Sequence, residues 1–196
     1  MRLSGNHNRP SLVLLSLFLC ISALSASCQD QPPAPRSQRG WLDPNVNEEY
    51  KKWLREDVVF IITDEERADF KKLVGDKQRD EFIVAFWERK NPAPGAAENK
   101  FKEEHYRRIG YANTHFAAGV PGWKTDRGRI YIVYGSPDEI EGRPGSPSQY
   151  PSEVWRYKIM KGIGSDVSVE FVDTCRCGDY HMTVDWSEKA SPVQKD

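Results

Sequence analysis

Gly122-Trp123-Lys124-Thr125-Asp126 runs directly into Arg127-Gly128-Arg129-Ile130-Tyr131-Ile132-Val133-Tyr134-Gly135, and this stretch decides the fold. Helical patterns dominate the chain before it, and strand patterns dominate the chain after it. The β-branched and aromatic run from Ile130 to Tyr134 predicts a strand that is apolar on both faces. The stretch is therefore expected to form the corner between a helical half and a sheet.

Each residue of the corner has a structural interpretation. Pro121-Gly122 is a turn dipeptide, Thr125 can bond the backbone locally, and Gly128 tolerates a left-handed backbone. Trp123 is interpreted as a wedge that buries its ring, the alternative being a ring that contacts a ligand. The Asp126 carboxylate is expected to accept from nearby backbone N–H groups or to pair with an arginine, the candidates being Arg127, Arg129 and Arg89.

Helical patterns fill the chain upstream of the corner. The first begins at Asn47, and the capping box from Thr63 to Glu66 predicts a second helix from near Asp64 to near Gly75. The apolar run 58–62 between them predicts a buried, extended connection. Two more helices are expected at about 77–90 and 97–117. His105 on the last of them is expected to be a hydrogen-bonded core or interfacial histidine rather than a ligand.

Strand patterns follow the corner at 153–158, 167–173 and 180–184. Together with the Ile130 run they give four strands joined by turns with no helix between them, which predicts an antiparallel meander. The expected fold class is α+β, with about three or four N-terminal helices packed on a C-terminal four-stranded antiparallel β-meander. The helical part would cover 46–118 and the sheet part 122–186, with a long loop at 142–151 and a frayed tail at 187–196.

The corner also resembles a family signature. Gly122-Trp123-x-Thr125-Asp126, followed by Arg127-Gly128-Arg129-Ile130-Tyr131 and by Tyr134-Gly135-x-Pro137-Asp138, is similar to the motif of the GWxTD-domain proteins, a family of exported bacterial proteins. Residues 81–89 and 153–157 resemble the same family, so the likeness covers about residues 45 to 185. The resemblance implies a shared domain and no catalytic residue, because the family has no assigned activity.

The N-terminus has the pattern of an export signal. Arg2 and Arg9 precede an apolar run from Leu12 to Leu24, and the small residues 25–27 follow, so residues 1–27 are predicted to be a signal peptide. Cys28 comes next, which predicts a lipoprotein acylated on that residue, although Leu24 stands one position further from it than in the usual lipobox. The alternative is a soluble secreted or periplasmic product. The polar, Pro-rich residues 28–45 predict a tether.

Composition argues against a nucleic-acid partner. The 196 residues are 38% hydrophobic and 29% charged, which suits one globular core. Removing residues 1–27 leaves 26 Lys and Arg against 29 Asp and Glu, a net charge of about −3, with no long basic run. Nucleic-acid binding relies on clustered Lys and Arg, so we expect none.

Cys175 and Cys177 are the strongest candidates in the sheet part for a metal site or a disulfide. With His181 they could hold a soft metal such as zinc, although no second ligand pair completes the usual spacing. A disulfide is the rival in an oxidising compartment, and it would need a turn, because residues i and i+2 of an extended strand lie about 6.6 Å apart. Free thiols are the third alternative. No cofactor is expected.

The sequence contains no motif of a known catalytic class. A carboxylate pair of Asp126 and Asp138 is disfavoured, because the predicted strand would hold them about 25 Å apart. We therefore predict a non-catalytic cell-envelope interaction or assembly module, periplasmic or anchored at the outer membrane, with an envelope protein as partner. The alternative is an envelope enzyme or carbohydrate-binding domain whose cleft stacks its ligand on three aromatic rings, namely Trp123, Trp155 and Tyr157.

Overall fold

The computed structural model describes residues 47–184. The helices are α1 Glu48–Lys52, α2 Asp64–Lys72, α3 Asp76–Arg89, α4 Lys100–His115 and α5 Asp126–Tyr134, and the strands are β1 Glu139–Arg143, β2 Ser152–Met160, β3 Gly164–Val172 and β4 His181–Met182. A π-helical turn, Trp53–Asp57, continues α1, and a 3₁₀ turn, Gly122–Lys124, precedes α5. The predicted signal peptide, Cys28, the tether and the tail lie outside the described residues.

The four strands form one antiparallel sheet in the order β1-β2-β3-β4. The predicted α+β class with a C-terminal antiparallel meander is confirmed. Strands β2 and β3 pair from Ser152 and Val172 to Met160 and Gly164, whereas β4 adds only two residues at the far edge. Across the described part of the chain, no helix is long and apolar enough to cross a membrane.

Buried apolar side chains form two clusters. The helical cluster comes from α1, its π-helical turn, α2, α3 and the segments that join them, and consists of Tyr50, Trp53, Leu54, Val58, Ile62, Phe70, Phe86 and Trp87. The sheet cluster comes from the end of α4, from α5 and from strands β2 and β3, and consists of Ala112, Phe116, Ile130, Tyr131, Ile132, Trp155, Tyr157, Met160, Val169 and Phe171.

The second helix begins where its capping box predicts. Thr63 Oγ1 accepts from the N–H of Glu66 at 3.1 Å, and the Thr63 N–H donates to the Glu66 carboxylate, also at 3.1 Å. The preceding segment was predicted to be extended, and that prediction is wrong. The N–H groups of Ile61 and Ile62 both donate to the carbonyl of Val58, which makes a helical turn. The turn satisfies these backbone groups locally, as a buried segment with no neighbouring strand requires.

The run from Ile130 to Tyr134 was predicted to be the first strand, and it is helix α5 instead. The run contains no charged side chain, and Ile130, Tyr131 and Ile132 are buried, so it shows no polar face from which periodicity could identify a helix. The first strand is β1, which the apolar pattern missed because it is largely charged. The helical part therefore extends to Tyr134, and Gly128 lies within a helix rather than in a left-handed turn.

His105 links α4 to the helical cluster. Its ring is buried, and its Nε2 lies 2.6 Å from the carbonyl oxygen of Asp57, which confirms the predicted hydrogen-bonded core histidine. Because a carbonyl only accepts, Nε2 carries the proton in this contact. Burial lowers the pKa of His105 below its ordinary value of 6.5, and this effect outweighs the hydrogen bond to Asp57, which acts to raise it. The positive charges of Arg108 and Lys90 also lower it.

We expect this histidine to make stability fall on mild acidification. In the unfolded chain it binds a proton near its ordinary pKa of 6.5, whereas the folded protein binds that proton only at lower pH. Its contribution is therefore complete above pH 6.5 and is lost as the pH falls towards the lower folded value. Urea denaturation at a series of pH values should show a steeper loss for the wild type than for His105→Gln. Equal slopes would contradict this assignment.

Candidate functional site

The motif corner, residues 122–128, brings α4, the 3₁₀ turn and α5 into backbone contact. A Cβ atom on Gly122 would lie 1.8 Å from the carbonyl oxygen of Ala112 in α4. A Cβ on Gly128 would lie 1.9 Å from the carbonyl oxygen of Gly122 itself. Both glycines are therefore required by close approach of the chain to itself, which only a residue without a side chain allows.

Thr125 fixes the start of α5. Its hydroxyl donates to the carbonyl of Gly122 at 2.8 Å and accepts from the N–H of Gly128 at 3.1 Å. The residue is buried, so water cannot replace either partner. One hydroxyl thus caps the helix and closes the preceding turn, which uses both its donor and its acceptor capacity.

Trp123 packs at the side of the corner. Its backbone N–H donates to Asn113 Oδ1 at 3.0 Å. Its ring is half-buried against the sheet cluster, with its centroid 6.3 Å from that of Phe60, and the Lys124 ammonium lies 5.1 Å from the ring centroid. The predicted wedge is therefore in contact with neighbouring side chains, although it is not fully enclosed.

Asp126 connects the corner to the edge of the sheet. Its Oδ2 accepts from the N–H of Met182 in β4 at 2.9 Å. The expected backbone acceptor role is present, but the donor is a strand residue 56 positions away rather than a nearby amide. The alternative, a pairing with an arginine, is not formed among residues 47–184: Arg89 bonds Glu66 at 2.8 Å, Arg127 bonds Glu153 at 3.1 Å, and Arg129 has no ion pair.

Arg127 connects α5 to the sheet and to the loop before β4. Its guanidinium pairs with Glu153 in β2 and donates to the carbonyl of Gly178 at 2.9 Å. It also lies 4.1 Å from the ring centroid of Tyr180. Glu153 in turn accepts from the indole N–H of Trp155 at 3.0 Å. This largely buried ion pair links α5, β2 and the loop that leads to β4.

A disulfide joins Cys175 and Cys177, with their Cα atoms 5.2 Å apart. The turn that such a bond needs is present, because the backbone of Arg176 is left-handed at φ 58°. The buried Asp173 carboxylate accepts from the N–H groups of Cys177 and Gly178 at 3.1 and 2.8 Å. Burial acts to raise the pKa of Asp173, but backbone hydrogen bonds from Gly178, Cys177 and Arg176 and the positive charge of Arg127 together outweigh it and hold the pKa below its ordinary value.

The same loop contains the candidate metal ligands. Asp173, Cys175 and Cys177 bring one ligand atom each within 4.8 Å of one another, and His181 is not part of that group. Zinc is bound by cysteine thiolates, and the disulfide leaves no thiolate here. In the disulfide form, the predicted set of Cys175, Cys177 and His181 is therefore not a metal site.

His181 lies at the exposed edge of the corner. Its Nε2 is 3.0 Å from Asp179 Oδ2, its Nδ1 is 3.6 Å from Asp126 Oδ2, and 61% of its side chain is exposed. Within residues 47–184, Asp179 is the only hydrogen-bond partner of the ring, so no nucleophile is paired with this base. Asp138 is engaged elsewhere, because it accepts from the N–H of Lys158 at 2.7 Å.

The aromatic cleft of the alternative prediction is not formed. Trp155 is fully buried and Tyr157 is 3% exposed, and the Tyr157 hydroxyl donates to the carbonyl of Gly135 at 3.0 Å. Rings in the core cannot stack on a ligand from solvent. Sequence reasoning also missed the partners of Arg127 and Asp126, because Glu153 and Met182 lie far along the chain and carry no local signal.

Replacing Asp126 with alanine should detach β4. We expect the free energy of unfolding to fall by about 1 kcal/mol, because one partly exposed hydrogen bond to a charged acceptor is lost. The local effect should be larger than the global one, since β4 has only two paired residues. Amide hydrogen exchange at Met182 should therefore become faster in Asp126→Ala than in Asp126→Asn, which keeps an acceptor oxygen. Unchanged exchange in Asp126→Ala would contradict the contact.

Comparison with known proteins gives one result. The family model described as GWxTD domain matches residues 44–181. No curated protein and no solved structure matches the chain. The matched range contains the whole motif corner and every strand up to the first residue of β4.

Proposed function

Since the chain belongs to the GWxTD-domain family, we propose that it is a non-catalytic cell-envelope interaction or assembly module. In this proposal the protein is exported, residues 1–27 are removed, and an acyl group on Cys28 holds it at the membrane. Residues 28–45 act as the tether, and the domain binds a protein partner in the envelope.

One observation carries the proposal: the family motif is engaged in contacts within the fold. Gly122 and Gly128 allow backbone contact, the Thr125 hydroxyl has both a donor and an acceptor partner, and the Asp126 carboxylate holds β4. A catalytic group needs to reach a substrate, whereas these groups are engaged by the backbone of their own chain. The motif is therefore best explained as a scaffold, and function would come from the surface that it supports.

Strand β1 is our candidate for that surface. It lies at the edge of the sheet, pairs with β2 on one side, and carries Ile140 with 54% of the residue exposed. An edge strand offers backbone groups to a strand from another chain. Its charged residues, Glu139, Glu141 and Arg143, discourage unselective pairing, so a partner would have to match them.

The proposal is tested by isolating the full chain from membranes of cells that express it. We expect one envelope protein to copurify in a fixed ratio, and Ile140→Lys to reduce its recovery at least about tenfold, because a charge would enter an apolar contact. The measurement is quantitative mass spectrometry after mild crosslinking. Recovery of the same protein in equal amounts with Ile140→Lys would contradict the β1 surface.

Two controls sharpen this experiment. Val84 is 69% exposed on α3, so Val84→Lys makes the same kind of change away from β1 and should leave recovery unchanged. Cys28→Ala should move the chain from the membrane fraction to the soluble fraction. A Cys28→Ala protein that stays in the membrane fraction would overturn the anchor, and a wild-type chain that binds no envelope protein would overturn the interaction module.

A further inference from the structure

A cleft of about 390 Å³ is lined by residues of the helical part and by the turn between β2 and β3. Its volume is in the range of about 300–1,000 Å³ that small-molecule sites occupy. The walls come from five separate segments, which are 60–63, 90–92, the start of α4 at Phe101, the end of α5 at 133–134, and Lys161 at the turn between β2 and β3.

The cleft lies between the two apolar clusters. Phe60 packs against the sheet cluster, whereas its neighbour Ile61 packs against the helical cluster, and both line the cleft. Phe101 and Val133 add apolar surface from α4 and α5, and Phe101 is 38% exposed. One part of the wall can therefore take an apolar ligand group out of water.

The polar part of the wall consists of groups that can donate hydrogen bonds. Lys90 and Lys161 both line the cleft, and none of its lining residues is acidic. Among residues 47–184 no carboxylate lies within 4 Å of either ammonium group, although most lysines of the helices have such a partner. The Tyr134 hydroxyl, a third donor, also has no hydrogen-bond partner in the described part of the chain.

Lys90 is the more enclosed of the two lysines. Its ammonium lies 4.7 Å from the ring centroid of Phe86, and burial lowers its pKa below the ordinary value, an effect that the charge of Glu66 partly offsets. A half-buried cation without an ion-pair partner gains more from an arriving anion than a fully exposed one does, because less solvent screens the pair. The cleft thus combines an apolar wall with unpaired positive charge.

We propose that this cleft binds a small amphipathic carboxylate, such as a medium-chain fatty acid. The alkyl chain contacts Phe60, Phe101 and Val133, and the carboxylate pairs with Lys90 and Lys161. The match is one of charge and polarity, since a cationic or purely polar ligand would leave either the lysines or the apolar wall without a partner. This site is independent of the partner surface on β1.

Isothermal titration of the full chain with decanoate tests the proposal. We expect saturable binding of one decanoate per chain, and binding at least about tenfold weaker for decanol and decyltrimethylammonium, which lack the negative charge. Lys161→Met and Lys90→Met should each weaken decanoate binding at least about fivefold. A cooperative thermal unfolding transition is the check that each variant is folded. If Lys90→Met does not fold, Lys161→Met decides the test, because Lys161 is exposed at a turn and its loss should not disturb the fold.

Lys71→Met is the matched control. Lys71 is exposed on α2, lies outside the cleft and has no ion pair among the described residues, so its loss should leave decanoate affinity unchanged. Three results would overturn the site: no saturable binding, equal affinity for decanoate and decanol, or equal effects of Lys161→Met and Lys71→Met. The last two would mean that the alkyl chain binds without recognition of its carboxylate.

Discussion

Replacing Gly122 with alanine is expected to lower the free energy of unfolding by about 3 kcal/mol or more. The new methyl group would lie 1.8 Å from the carbonyl oxygen of Ala112, and that oxygen belongs to the backbone of α4 and cannot rotate away. The turn and the helix would have to separate, which would pull Thr125 from its cap position. Urea denaturation followed by tryptophan fluorescence measures the loss.

Gly110→Ala is the control for this prediction. Gly110 lies in α4, the helix whose Ala112 carbonyl Gly122 approaches. A Cβ on Gly110 would meet no atom within 4 Å, and alanine is a better helix former than glycine. We therefore expect Gly110→Ala to raise the free energy of unfolding by about 0.5–1 kcal/mol. If both alanine variants changed stability by the same amount, the close approach at Gly122 would be wrong.

The second large effect is expected for Thr125→Val, which should cost about 2–3 kcal/mol. Valine has nearly the shape of threonine, so the core stays filled while both hydrogen bonds of the hydroxyl are lost. The N–H of Gly128 and the carbonyl of Gly122 would then remain buried without this partner. Denaturant unfolding gives the free energy, and the helical signal in circular dichroism reports whether α5 loses its first turn.

Thr125→Ser separates the hydroxyl from the rest of the side chain. Serine keeps the donor and the acceptor and loses one methyl group, so it should cost about 1 kcal/mol or less. A serine variant as unstable as the valine variant would show that the methyl group, and not the cap, determines stability at this position.

Much of the architecture could be predicted from local signals. The capping box at Thr63 placed the start of α2, because the residues that make both of its hydrogen bonds are three apart in sequence. The alternation of Trp155 and Tyr157 with charged residues placed β2, because side chains two apart on a strand share a face and both rings lie in the core. Signals of this kind involve neighbouring residues, and the sequence contains them completely.

Helix α5 is the element whose secondary structure the local sequence pattern predicts wrongly. Its central residues are buried, so burial leaves no polar face from which a period of 3.6 could be recognised. The β-branched residues Ile130, Ile132 and Val133 then favour a strand by propensity, and tertiary packing overrides that preference. The cap at Thr125 was present in the sequence as a helix-start signal, and it would have been the better guide.

The candidate sites depend on contacts that no local pattern contains. Asp126 meets Met182 and Arg127 meets Glu153 across long stretches of chain, and the walls of the cleft come from segments between Phe60 and Lys161. Each segment alone shows only an ordinary lysine or an ordinary apolar residue. Only the fold places the unpaired lysines beside the apolar wall, and the motif corner supports that wall from behind the lining residues, because Trp123 packs on Phe60.

Native-state hydrogen exchange at the Gly128 amide tests most directly whether the motif serves folding. We predict that this amide exchanges only through global unfolding, with the same dependence on denaturant as the slowest amides of β2 and β3, because its acceptor is the buried Thr125 hydroxyl. Fast exchange at Gly128 in the absence of denaturant would mean that the corner opens to solvent by itself. That result would contradict the scaffold role of the motif.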